Sequence, residues 1–347
     1  MMGKIYIITG ANGHLGNTIA RKLVADNQEV RALVLPDDPV KSLDDVKCDI
    51  FYGDVTDKNS LEEIFNVDSC DETIVIHCAG IVSIASKYQQ KVYNVNVLGT
   101  KNIVDMALSK HVSKFVYVSS VHAIKEPPKE EKITEVGNFN PDNVTGLYAK
   151  TKAEATNYVL SKTKEGFNAC VVHPSGIIGP NDYGHGHLTQ MIMDYLDGRL
   201  TACVKGGYDF VDVRDVADGV LRAVEHGKQG ECYILSNQYF SVLDILNRLS
   251  KISGKKPIKT VLPLWFAKLT APLAEKYYKI LNQPPLYTSY SLFTLSSNAN
   301  FSHEKATKEL GYINRNIDDT LSDTVDWLIE HDRVPNYQKK YIKQKRN

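Results

Sequence analysis

Tyr148-Ala149-Lys150-Thr151-Lys152 sets a phenol and an ammonium four residues apart. On a helix both side chains fall on one face. A free tyrosine, with a pKa of about 10, is a poor base at neutral pH, and a neighbouring ammonium lowers that value by stabilising the phenolate. Such a pair can take a proton from an alcohol, or return one to a carbonyl, while hydride moves. By itself the spacing also describes many solvated helix faces, so its meaning rests on what surrounds it. The apolar run before it ends Tyr117-Val118-Ser119-Ser120-Val121, and a hydroxyl there can hold the reacting oxygen near Tyr148.

A second constellation opens the chain. Lys4–Ile8 is a short apolar run that leads into Thr9-Gly10-Ala11-Asn12-Gly13-His14-Leu15-Gly16. Gly10 permits a tight turn out of a strand, Gly13 lets backbone approach a pyrophosphate, and Gly16 lets the following helix pack closely on a sheet. The free N–H groups over Gly10, Asn12, Gly13, His14, Leu15 and Gly16, together with the helix dipole, would face phosphates. A glycine trio carries weight only at a strand–helix junction.

The remaining elements supply that context. Strands are expected at Lys4–Ile8, Glu29–Leu35, Asp49–Tyr52, Thr73–Cys78, Lys114–Ser119 and Ala169–His173. Helices are expected through Ala25, over about Tyr88–His111, and over Leu147–Lys164, from apolar positions three and four apart. This alternation implies right-handed crossovers and an α/β fold: a doubly wound parallel sheet of Rossmann type, with a smaller C-terminal substrate-binding lobe. Residues 1–175 read as the dinucleotide-binding domain, to which a segment about 208–236 returns. Residues 176–335, punctuated by Pro174, Pro180, Pro257, Pro263, Pro272, Pro284 and Pro285, read mainly as the substrate lobe, and 336–347 as a polar, basic tail.

The glycine pattern here is TGxxGxxG, and with the later YxxxK it resembles the short-chain dehydrogenase/reductase superfamily. The resemblance runs from about Lys4 to Ile329. It implies that Asp54, in Gly53-Asp54-Val55, accepts from the adenine amino group; a carboxylate capping a turn is the local alternative. It implies that Cys78, Ala79 and Gly80 lie beside the adenosine, and that backbone at Pro174-Ser175 binds the nicotinamide carboxamide. Ser120 is the serine it selects, with Ser119 as the second choice. Asn96, in Asn96-Val97-Leu98-Gly99-Thr100, takes a structural or a proton-relay role. Lys152 would also hold the nicotinamide ribose. Relatives that use NADP often carry Arg where Leu35 stands; Leu35 followed by Asp37 and Asp38 favours NAD over NADP, although Lys41 and Arg31 are available to a phosphate. A homodimer through the two long helices is the assembly that the resemblance implies.

Three later blocks resemble the extended branch of that superfamily: Phe210-Val211-Asp212-Val213-Arg214-Asp215-Val216-Ala217, Lys305-Ala306 with Glu309-Leu310-Gly311-Tyr312, and Thr320–Leu328. The branch includes sugar-nucleotide epimerases and dehydratases, dihydroflavonol reductases and 3β-hydroxysteroid dehydrogenases. Sugar-nucleotide enzymes commonly grip a diphosphate with Arg just before the F-V-x-V run. Here Gly206-Gly207-Tyr208-Asp209 stands there, and Asp209 is expected to repel phosphate. Trp265, Phe266, Leu269, Tyr277, Tyr278, Tyr287, Tyr290 and Phe293 suit an apolar substrate, or ordinary packing. The expectation is an NAD(P)-dependent oxidoreductase that interconverts an alcohol with a ketone or aldehyde. The alternatives are a sugar-nucleotide epimerase or dehydratase and, behind both, a nucleotide sensor without turnover.

Composition excludes several other classes. Lys+Arg and Asp+Glu are both 41 in 347 residues, without the basic excess of a nucleic-acid surface. The six cysteines, Cys48, Cys70, Cys78, Cys170, Cys203 and Cys232, are scattered, with no CxxC, which reads as reduced thiols in a cytoplasmic protein. No metal is expected at His185-Gly186-His187, which lacks an evident Cys or carboxylate partner. No apolar run is long enough to cross a bilayer, and Leu262–Leu273 reads as an amphipathic element over a pocket.

Overall fold

The most apolar runs, Lys4–Thr9 (β1), Glu72–His77 (β4), Lys114–Val118 (β5) and Ala169–Pro174 (β6), lie side by side. They form the middle of a seven-stranded sheet. Glu29–Val34 (β2) and Asp49–Tyr52 (β3) extend the sheet beyond β1, and Cys232–Leu235 (β10) extends it beyond β6. The order is β10-β6-β5-β4-β1-β2-β3, and every neighbouring pair is parallel. The structure is a computed structural model that describes residues 3–38, 41–67, 72–84, 87–128, 131–184, 186–271 and 289–338.

Strand pleating divides each strand between two cores. Ile7, Val75, Phe115, Tyr117 and Val171 pack on one face. Tyr6, Ile8, Ile74, Ile76, Val116, Val118 and Val172 pack on the other. Burial on both faces is why these strands read as continuous apolar runs rather than as alternating ones. On the second face, helix α1 (His14–Ala25) buries Leu15, Ile19 and Leu23 and packs against Val213–His226 (α6). On the first face lie Leu147–Thr163 (α4) and the helical stretch 90–109.

That stretch is not the single α-helix expected over Tyr88–His111. It runs as Gln90–Tyr93 (α2), a π-helical segment Asn94–Gly99, and Thr100–Ser109 (α3). The wide turn accompanies a local demand. Asn96 turns its amide onto the Ile81 backbone, and Thr100 donates to the Asn96 carbonyl. Such segments commonly mark functional sites.

The rest of the chain forms smaller layers. Gly176–Ile178 (β7), Gly207–Asp212 (β9) and Gln238–Ser241 (β11) make a sheet in the order β11-β9-β7. Ala202–Val204 (β8) pairs with Thr260–Leu262 (β12). Within the segment about 208–236, Cys232–Leu235 joins the main sheet and α6 packs against α1, β5 and β6, whereas Gly207–Asp212 belongs to the smaller sheet. Val242–Ser253 (α7) starts at a capping box between Ser241 and Asp244.

Candidate active site

The chain passes from β1 out to β3 and then crosses back to β4. This places a switch point at the carboxyl ends of β1 and β4, where ligands bind in open α/β sheets. Gly10 follows β1 with φ +64°, and a Cβ there would stand 2.8 Å from the Ala79 backbone that follows β4. A Cβ on Gly16 would lie 2.2 Å from the Gly10 carbonyl. Gly13 is exposed at the start of α1, where no side chain caps the helix. The first-turn N–H groups therefore lack a side-chain acceptor and suit a pyrophosphate. The turn is braced from behind. The Asn17 amide donates to the Gly13 and Asn181 carbonyls, His14 donates to Pro180, and Ser42 donates to the Asn12 carbonyl. Leu15 is buried beneath the turn.

Thr9, the last residue of β1, starts a buried hydrogen-bonded chain. The Ala79 N–H donates to the Thr9 hydroxyl, which donates to Nδ1 of His77 at 2.6 Å. Nε2 of His77 donates to Thr100, which donates to the Asn96 carbonyl. That tautomer follows from the partners. Burial holds the His77 pKa down to about 3, so the ring is neutral. The Asn96 amide then binds Ile81 N–H and C=O and reaches Thr151, whose hydroxyl donates to the Tyr148 carbonyl. Asn96 is thus a fully engaged strut between the loop after β4 and the helix that carries Tyr148.

Tyr148 and Lys152 lie in the first two turns of α4, 8% and 4% exposed. Lys152 donates from Nζ to the Val118 carbonyl at 2.9 Å and sits over the Tyr117 ring. A Cβ on Gly80 would come within 3.3 Å of that Nζ. Burial lowers the Lys152 pKa to about 8. Burial also raises the Tyr148 pKa to about 12, against the pull of a hydrogen bond with the Ser120 side chain. The two serines separate cleanly. Ser119 pairs with Thr156 at 2.7 Å inside the core, whereas Ser120 caps the turn Val121–Ala123 and contacts Tyr148.

Asp54 stands after β3, where its Oδ1 accepts from the Thr56 N–H and hydroxyl; this is the turn-capping alternative. Val55 is buried against Gly99, and Asn102 donates to its carbonyl. Cys78 follows β4, and burial holds its thiol up at about 12. β2 ends at Val34, leaving Leu35, Pro36 and Asp37 exposed. Arg31 does not reach this edge: its guanidinium donates to the Ile64 and Asn66 carbonyls. Lys41 is exposed.

Two residues beside Tyr148 escaped the sequence reading. The His122 ring stands edge-on to Tyr148 at 6.0 Å and stacks on Tyr208 at 5.5 Å. The Tyr208 hydroxyl lies 3.2 Å from His122 Nε2, and burial lowers the His122 pKa to about 4. The available signal was positional: His122 comes two residues after Ser120, and Tyr208 comes two before Phe210.

Asp209 needs correction. It is not a surface charge set against phosphate. It is 1% exposed, within β9, and accepts from the Ser175 hydroxyl and the Asn237 N–H. Of the aromatic set of the lobe, Trp265, Phe266 and Phe293 are solvent-exposed, as is Leu269. Tyr277, Tyr278, Tyr287, His185, Cys70 and the tail from 339 lie outside the described residues, as does the Tyr290 side chain. His187 begins helix α5 (His187–Asp197), and no cluster of metal-ligating side chains occurs among the described residues.

A glycine turn at the switch point of a parallel sheet, with a buried Tyr–Lys pair one strand away, defines the class: an NAD(P)-dependent oxidoreductase of the extended short-chain type. The chain belongs to the NAD dependent epimerase/dehydratase family, whose model matches residues 6–236. It is 28% identical to sterol demethylase protein B of Methylococcus capsulatus over 332 residues, covering 94% of this chain and 99% of that one. It is 27% identical over 316 residues to a 4-hydroxy-2-methyl-3-oxo-4-farnesyl-3,4-dihydroquinoline-1-oxide ketoreductase of Stigmatella aurantiaca, covering 89% and 91%. The crystal structure of gox2253 superposes with a TM-score of 0.80 at 30% identity, covering 94% of this chain and 98% of that one.

Proposed function

We propose that this protein interconverts a secondary alcohol and a ketone, or an alcohol and an aldehyde, on a largely apolar small molecule. The observation that carries the proposal is the contact between Tyr148 and Ser120, walled by the neutral His122 and Tyr208 rings. Such a site offers an oxygen atom two hydroxyls, and the rest of the substrate an aromatic surface. Two of the relatives, named for a sterol and for a farnesylated ketone, support an apolar substrate. The lobe residue just before Phe210 is a buried aspartate rather than an arginine, which counts against a diphosphate at that position.

When bound, the nicotinamide supplies or accepts the hydride. Gly10, Gly13 and Gly16 would hold its pyrophosphate side, and Lys152 the nicotinamide ribose. Ser120 orients the reacting oxygen, and Tyr148 exchanges the proton at that oxygen. Lys152 is the group that brings the raised Tyr148 pKa back toward neutrality once its ammonium faces the phenol. We favour NAD over NADP, because Arg31 is occupied at backbone carbonyls and Asp37 is exposed past β2. We also infer a cytoplasmic homodimer, joined through the 90–109 stretch and α4.

The test is a titration with NADH and NADPH, followed by a screen of nicotinamide absorbance. Steroid, aromatic and aliphatic carbonyls are set against UDP- and dTDP-sugars. Net oxidation of NADH by an apolar carbonyl is expected. Product from a nucleotide sugar without net absorbance change would assign an epimerase or dehydratase instead.

A further inference from the structure

Helix 264–271 is apolar on both of its sides. Its inner face, Leu264, Ala267 and Ala271, packs on Val204 of β8 and on Leu292. Its outer face should then be polar. Instead Trp265 is 68% exposed, Leu269 69% and Phe266 40%. Trp265, Lys268 and Leu269, spaced i, i+3 and i+4, share that outward side. Val261 of β12 adds a further exposed apolar side chain.

Charge along this part of the chain is one-sided. Between Asp244 and Glu275 the chain has no acidic residue and six basic ones. Arg248 pairs with Asp318, and Lys255 donates to the Leu196 carbonyl. Lys256, Lys259 and Lys268 are exposed, and none pairs with a carboxylate among the described residues. Lys205, also exposed, adjoins them across the β8–β12 ribbon, where its N–H donates to Leu262. A chain of zero formal charge thus carries Lys268 on the helix that bears Trp265, and Lys205 and Lys259 at the ends of the ribbon beside it.

We propose that helix 264–271 and the β8–β12 ribbon form a docking surface for an anionic lipid bilayer. Tryptophan and phenylalanine settle at headgroup depth, while lysine stems lie along apolar surface with their ammonium groups toward phosphates. Another copy of this face would bring lysines against lysines, so self-association is disfavoured. An acidic protein would satisfy the lysines without needing three large apolar side chains in water. The patch belongs to the same lobe as Tyr208: the Gly207 N–H, one residue away, donates to Leu295, three residues past Leu292. Docking therefore brings the lobe against the phase in which an apolar substrate dissolves.

The experiment is co-sedimentation of the full chain with vesicles of phosphatidylcholine alone, or with equal parts phosphatidylglycerol. Tryptophan emission is read in parallel. Trp265 and Trp327 are the only tryptophans, and Trp327 is 6% exposed, so a shift reports Trp265. Binding to the mixed vesicles with a blue shift, reversed by added salt, is expected. Changing Lys256, Lys259 and Lys268 together to Gln should weaken the partition by roughly a hundred-fold, at about five-fold for each lysine. NADH affinity and thermal midpoint should stay unchanged, showing that the variant is folded. Absence of sedimentation, or equal binding to pure phosphatidylcholine, would overturn the proposal. So would a concentration-dependent dimer abolished by Leu269→Lys, or binding to polyglutamate without binding to vesicles. These readouts are independent of turnover, so loss of the Tyr148 mechanism would leave them intact.

Discussion

Ser175, at the junction of β6 and β7, donates its hydroxyl to Oδ1 of Asp209 on β9 across 2.5 Å, with both side chains buried. The bond ties the carboxyl end of β6 in the large sheet to the small sheet. The Asn237 N–H shares the same oxygen, while Oδ2 is buried with no partner among the described residues.

This arrangement makes a stability prediction. Burial raises the Asp209 pKa from 3.8 to about 6. Between those values the folded chain holds a proton that the unfolded chain has lost. The contribution of Asp209 therefore falls as pH rises through that window and is flat above it. Urea unfolding of wild type and Asp209→Asn at pH 4.5 and pH 7 should show the balance moving toward the variant on raising the pH. The change should be on the order of 2–3 kcal/mol. A pH-independent difference would place the titration elsewhere.

Lys152 has the opposite charge and the complementary behaviour. Burial lowers its pKa from 10.5 to about 8, so at neutral pH the fold carries a charge it disfavours. Lys152→Met should lose turnover. Its stability relative to wild type should be most favourable below pH 8. That advantage should decline by about 3 kcal/mol as pH rises toward 10, where the wild-type lysine is already neutral in the folded state. Denaturant titrations at pH 7 and pH 10 decide it.

Tyr148→Phe removes one hydroxyl from a site whose packing depends on the ring. Turnover should fall by roughly 10²–10⁴-fold. NADH affinity, measured by fluorescence titration, should change less than about two-fold. Retained turnover would falsify the assignment of Tyr148 as the proton-exchanging group.

Asn96 is 1% exposed, and its amide meets two backbone groups of Ile81 and the Thr151 hydroxyl. Asn96→Ala removes the side-chain partner of the part-buried Ile81 N–H and C=O, at up to about 1 kcal/mol each. The expected result is a clear drop in thermal midpoint, together with weaker cofactor binding. A variant with unchanged stability but lost turnover would make Asn96 a proton relay rather than a strut.

The sequence by itself determined the parallel doubly wound sheet, the glycine turn and the Tyr148–Lys152 pair. These are local signals. A strand buried on both faces must be an apolar run, a close helix–strand junction must be glycine, and a shared helix face needs only the i, i+4 spacing. The choice of Ser120 came from resemblance, and the geometry offers a physical ground for it: Ser119 is spent on Thr156.

Other features depended on which distant segments meet. The burial of Asp209 follows from β9 pairing with β7 and β11, a register that no local pattern encodes. The His122–Tyr208 wall joins residues 86 positions apart, and the wide turn at Asn96 answers a loop 15 positions away. Nor does periodicity say which side of helix 264–271 meets the protein, because apolar residues stand on both sides. Lateral packing decided that alanines and Leu264 go inward while Trp265 and Leu269 face out.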